Sequence, residues 1–99
     1  MVRKQSDVEK SLQRKGFVRS NGDHHFFHYY TTTGRKTRIF TKTSYGNREI
    51  GNSLLSMRSK QCGLSRADFD LLIDCPLDRE AYELKLINQG RIRLNGMSP

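Results

Sequence analysis

His24-His25-Phe26-Phe27-His28-Tyr29-Tyr30-Thr31-Thr32 is the stretch on which the fold turns. Aromatic side chains followed by β-branched ones suit a pleated, half-buried surface, so the segment reads as a β-strand. Successive side chains of a strand point to opposite sides. One face therefore carries His24, Phe26, His28 and Tyr30, and the other His25, Phe27, Tyr29 and Thr31. Asn21-Gly22 ahead of it is a turn signal, and Thr33-Gly34 makes the next turn. Lys36-Thr37-Arg38-Ile39-Phe40-Thr41-Lys42-Thr43 then alternates basic with β-branched residues, apart from Phe40. That pattern predicts a half-exposed strand with Lys36, Arg38 and Lys42 on one side. Phe17 and Val18 begin an extended segment before the first turn, so the strands form a small antiparallel meander.

Helices flank the meander. Ser6-Asp7-Val8-Glu9 reads as a capping box, with Ser6 at the N-cap and Glu9 reaching back. Val8 and Leu12 share a face and Gly16 is a stop signal, which predicts a helix over about 7–15. A second helix is predicted over about 50–61, with Ile50, Leu54 and Met57 on one stripe and Leu55 beside it. Gly63 ends it in a left-handed cap. Ser65-Arg66-Ala67-Asp68 opens a short helix that turns Phe69, Leu72 and Ile73 inward, and Cys75-Pro76 breaks it. Asp78 caps a last helix to about Asn88, and Gly90 ends that one. The order α-β-β-β-α followed by further helices specifies a two-layer α+β sandwich with one sheet face covered and the other open. Residues 1–65 form the core, 66–90 a C-terminal helical extension packed on the same domain, and 91–99 a flexible basic tail.

A chain of 99 residues has room for one domain. With hydrophobic residues at 34% and no Trp, the core should be thin and large ligand cavities absent. Eighteen Lys and Arg against ten Asp and Glu leave a charge of +8, which favours a polyanionic partner. No apolar run approaches the ~20 residues of a spanning helix. Met1-Val2-Arg3-Lys4-Gln5 leads into a polar segment rather than a signal sequence, so the expected compartment is the cytoplasm. Cys62 and Cys75 lie thirteen positions apart without a CxxC, which fits free thiols in a reducing environment better than zinc ligands. Walker, GxSxG, HExxH and paired-carboxylate motifs are missing, and each absence removes a class of enzyme.

The three histidines fall at 24, 25 and 28. Cleavage of RNA by its own 2′-hydroxyl needs a base for that proton and cations for the charged phosphorane. An imidazole beside Lys36, Arg38 or Lys42 supplies both without metal or cofactor, and the cations hold its pKa down. His24 and His28 are ~13 Å apart along a strand, too far to share one ion. Phe26, Phe27, Tyr29, Tyr30 and Phe40 suggest base stacking, although about half of them must face the core. The basic clusters at 3–4, 14–15, 35–38 and 58–60 are ordinarily solvated surface; coincidence with an open sheet is what raises the nucleic-acid reading. Arg35, Lys36, Arg38 and Lys42 are the candidate RNA contacts.

Lys15-Gly16-Phe17, Gly22-Asp23-His24-His25-Phe26-Phe27-His28, Gly34-Arg35, Glu49-Ile50 through Leu54-Leu55, and Lys60-Gln61-Cys62-Gly63-Leu64-Ser65 together resemble the HicA toxins of bacterial toxin–antitoxin pairs. The likeness covers roughly residues 8–65 and lies in the order and spacing of short motifs. It implies a fold like a double-stranded-RNA-binding domain, a metal-independent mRNA-cleaving activity that depends on one histidine, and silencing by an acidic HicB-like antitoxin. The family's Gly-Ser-His segment falls on Gly22-Asp23-His24, which makes His24 the catalytic histidine; a one-residue slip makes it His25. Asp23 stands where relatives have Ser, and Tyr45 stands where they often carry a further histidine. A non-catalytic RNA-binding module and a protein-interaction domain with a basic docking face are the alternatives on the same fold.

Overall fold

A computed structural model describes residues 3–44, 49–74 and 76–92. The meander forms as the alternation requires. Strands β2 (Phe17–Asn21), β3 (His25–Tyr30) and β4 (Lys36–Thr43) make an antiparallel three-stranded sheet in that order. Val18 lies opposite His28, Phe26 opposite Lys42, and His28 opposite Phe40. Beyond that pair the register slips. Tyr30 faces Lys36, so three residues of β4 oppose Tyr29 alone. The Thr37 hydroxyl donates to the Tyr29 carbonyl at 2.7 Å and accepts from the Ile39 amide at 3.1 Å, and these bonds fix the bulge.

Four helices lie on one side of the sheet among the described residues, α1 (Gln5–Arg14), α2 (Asn52–Gln61), α3 (Arg66–Ile73) and α4 (Arg79–Asn88), with α3 packed against α1 and α2. The architecture is thus a two-layer α+β sandwich with an α-β-β-β-α core and two more helices behind it. A pairing that the sequence did not announce joins β1 (Arg3–Lys4) to β5 (Glu49–Ile50). It brings Arg3 onto α3, where the guanidinium meets Asp70 at 3.1 Å and Asp74 at 2.8 Å.

Two readings of the helices need correction. Ser6 is not the cap of α1: the helix begins at Gln5, Lys4 is the N-cap, and no side chain caps it. Glu9 turns instead toward the sheet, where it satisfies buried donors. In α2 the inner stripe is Leu55, Arg58, Ser59 and Cys62, while Leu54 and Met57 are exposed. The helix is rotated by about one position from the expected stripe because the polar Arg58 and Ser59 can be buried when bonded. Ser59 donates to the Leu55 carbonyl at 2.7 Å, and Arg58 reaches Gln61 at 3.4 Å. The caps at Ser65 and Asp78 form as expected, accepting from the Asp68 and Ala81 amides. Cys62 is a fully buried thiol whose pKa burial pushes up to about 12. Cys75, Tyr45 and residues 93–99 of the expected tail lie outside the described residues.

Phe17, Tyr29 and Tyr82 pack ring to ring at the centre, with centroids 5.1–5.8 Å apart. Such contacts give α4 a share of the main core. Tyr29 donates its hydroxyl to Glu83 at 2.7 Å, and Glu83 also takes the Thr32 amide at 2.9 Å. Arg79 bonds the carbonyls of Tyr30 and Thr31. Its Nε fills the space beside Gly16, where φ is +100° and a Cβ would lie 2.5 Å from that nitrogen. Among the described residues no helix is long and apolar enough to cross a membrane.

Candidate nucleic-acid interface

None of the residues in β2, β3 and β4 is acidic. The uncovered face of the sheet therefore has no carboxylate of its own to neutralise its cations. Lys36 and Arg38 are exposed there and Lys42 is half-buried; among the described residues none of the three forms a salt bridge, and neither does Arg35 at the hairpin. Between the cations runs a row of rings. His24 meets Phe26 edge-on at 6.2 Å, Phe26 lies 6.4 Å from Phe40, and Phe40 stacks on His28 at 5.3 Å with 22° between the planes. Phe40 is 40% exposed and Val18 49%, both on this face. Exposed aromatic surface interleaved with unpaired cations is the composition that single-stranded nucleic acid recognises.

His28 has the chemistry that the sequence sought from its neighbours. It lines a shallow depression with Lys36, Arg38 and Phe40. Partial burial and the charge of Lys36 hold its pKa below the ordinary histidine value. The imidazole is accordingly neutral near pH 7 and free to accept a proton. Residue alternation had put His24 and His28 on one face, but only the strand register shows which of them stands beside Lys36.

The two histidines nominated from the sequence separate. His24 precedes β3, is half-buried, and belongs to the open face through its contact with Phe26. No hydrogen bond or ion pair joins it to Asp23, which is exposed on the turn. His25 is on the covered face and only 8% exposed. Its Nδ1 meets the Glu9 carboxylate at 2.9 Å and its Nε2 meets Arg19 Nη2 at 3.2 Å. Because a guanidinium can only donate, Nε2 must be the acceptor and Nδ1 the donor. Both ring nitrogens are thus engaged, and the nitrogen a general base would use faces Arg19.

Two cations of the sequence clusters are not surface charge at all. Lys15 is buried and donates to the Leu77 carbonyl at 2.6 Å, and Arg58 is buried in α2. Outside the clusters, Arg79 is bound to backbone carbonyls. Arg91, which the sequence placed in a tail, instead lines a groove beside the β3–β4 hairpin, and Ile92 next to it is buried. Among the described residues no group of three His, Cys, Asp or Glu side chains is arranged to hold a metal ion. Compared with protein-family models, curated proteins and solved structures, the chain matches none.

Proposed function

We propose that this protein binds RNA on the open face of its sheet and cleaves it as a HicA-like, metal-independent ribonuclease. The observation that carries the reading is an acid-free strand face on which an imidazole, His28, sits beside Lys36 and Arg38 with its pKa held down. In the reaction an imidazole takes the 2′-hydroxyl proton, the 2′-oxygen bonds to phosphorus, and the bond to the 5′-oxygen breaks. The departing 5′-oxygen takes a proton from the imidazolium or from water. The products are a 2′,3′-cyclic phosphate and a 5′-hydroxyl. Lys36, Arg38 and Lys42 stabilise the phosphorane charge, and Arg35 adds a phosphate contact at the hairpin. The resemblance assigns the base to His24; the surroundings of His28 favour that residue. The two are ~13 Å apart along the strand and do not act on the same bond. The roles of toxin, of mRNA as target and of an acidic HicB-like antitoxin as partner rest on the resemblance alone.

The test is RNA cleavage in the presence of a chelator by His24→Ala, His28→Ala and His25→Gln variants. Loss of about 10²-fold or more in one of the first two, with His25→Gln active, is expected. With His28 as the base, the rate should rise with pH through a midpoint below about 6.5, the ordinary histidine value, and level off above it. If the His24→Ala/His28→Ala double variant cleaves as the wild type does, the catalytic step is wrong. A non-catalytic RNA-binding module is the second reading. It is favoured by the absence, among the described residues, of a carboxylate orienting either open-face imidazole, and it predicts binding without any cleavage.

A further inference from the structure

We propose that the groove between the β3–β4 hairpin and the end of α4 is a second phosphate-binding subsite, which takes the backbone of single-stranded RNA as it leaves the sheet. The inference rests on the RNA-binding reading above and extends it to Arg91, which lies outside the HicA-like core. The groove has a volume of about 560 Å³, room for a nucleotide-sized group. Four cations line it, Arg35, Lys36, Arg38 and Arg91, and no acid does among the described residues. Lys36, Thr37 and Arg38 also line the depression that holds His28 and Phe40. The two sites are therefore the two sides of one ridge, raised by the β4 bulge and fixed by the bonds of the Thr37 hydroxyl.

Arg91 is placed rather than merely present. Gly90 adopts φ +75°, and the Arg91 amide donates to the Leu86 carbonyl at 3.0 Å, closing the end of α4. Its Nε donates to Gln89 at 2.9 Å, and its stem lies so close to Gly63 that a Cβ there would come within 3.1 Å of Arg91 Cδ. Among the described residues Arg91 forms no ion pair, so its guanidinium charge is uncompensated in the groove. A strand whose base stacks on Phe40 must have that base unstacked from its neighbours, and its backbone must bend across the ridge. Single-stranded RNA does both; a duplex does neither.

The experiment measures binding of labelled oligouridine of about 4 and about 12 nucleotides, and of a 12-base-pair RNA duplex, across a salt series. The proteins are wild type, Arg91→Glu and Arg91→Lys, each checked for an unchanged melting profile. Arg91→Glu should weaken the longer strand about 10-fold and lower its log–log salt slope by about 0.7 or more, one phosphate contact on a single strand. The short strand, which fits on the sheet alone, should change less than about twofold, and Arg91→Lys should restore most of the loss. Unchanged affinity and slope for the longer strand overturn the subsite, as does an equal loss for short and long strands. A duplex that binds as tightly as the longer strand and loses as much overturns the single-strand assignment. Wild-type protein that binds none of the RNAs overturns the RNA-binding reading itself, a result distinct from failure of the groove.

Discussion

Glu9 shows how one side chain can decide the use of another. It lies beneath the sheet and accepts from His25 and from the Thr43 hydroxyl, with Gln5 Nε2 at 3.3 Å. Burial by itself would raise its pKa, but the bonds from His25 and Thr43, with the charge of Arg19 nearby, take it below the usual carboxylate value. A group whose folded pKa lies below its unfolded one contributes stability that is full above about pH 4.5 and is lost as pH falls through the folded value. Glu9→Gln should therefore destabilise the protein by about 1–3 kcal/mol at neutral pH, since it leaves buried donors poorly matched. It should also flatten the loss of stability on the acid side of pH 4.5. Urea denaturation at a series of pH values measures both, and an unchanged acid limb would remove Glu9 from its role. RNA cleavage should survive the change, because the network holds His25 in place and does not touch the open face.

Elements formed where their local signals agreed with their surroundings. The β3 alternation put Phe27 and Tyr29 inside and Phe26 and His28 outside, as it had to once one face was buried. The Gly63, Ser65 and Asp78 signals ended or began helices because caps act within a turn. What depended on distant partners was not legible. The β1–β5 pair joins residues 45 or more positions apart, the β4 bulge answers to a neighbouring strand, and Arg79 is drawn inward by carbonyls of the β3–β4 hairpin. The α2 stripe failed for the same reason. Hydropathy alone ranks Leu54 and Met57 above Arg58 and Ser59, but the space under the sheet takes the pair that can bond within it. The rotation predicts a sharp contrast within one helix. Leu55→Ala should cost about 2–5 kcal/mol by leaving a cavity, whereas Met57→Lys should stay within about 0.5 kcal/mol. Denaturant midpoints compare them, and a costly Met57→Lys would restore the stripe read from the sequence.

Over the whole molecule the charge is divided rather than spread. Residues 1–65 carry thirteen Lys and Arg against four Asp and Glu, while residues 66–99 carry five against six. The acidic share is also spent internally: Asp70 and Asp74 hold Arg3, Asp70 takes Arg66, and Asp68 takes Lys85. The helical extension thus compensates cations of its own layer and leaves those of the sheet uncompensated. Charge confined to one face makes a different prediction from charge in bulk. If +8 acted as a diffuse field, any equal removal of positive charge would weaken RNA binding alike. If the sheet is the interface, a Lys36→Gln/Arg38→Gln variant should lose about 1.4 from the log–log salt slope, at about 0.7 for each phosphate released from a single strand. Lys10→Gln/Lys60→Gln, which alters exposed positions on α1 and α2, should leave the slope unchanged. Equal slopes in the two variants would mean that the open face has no special part in binding, and that the charge of the chain acts as a diffuse field.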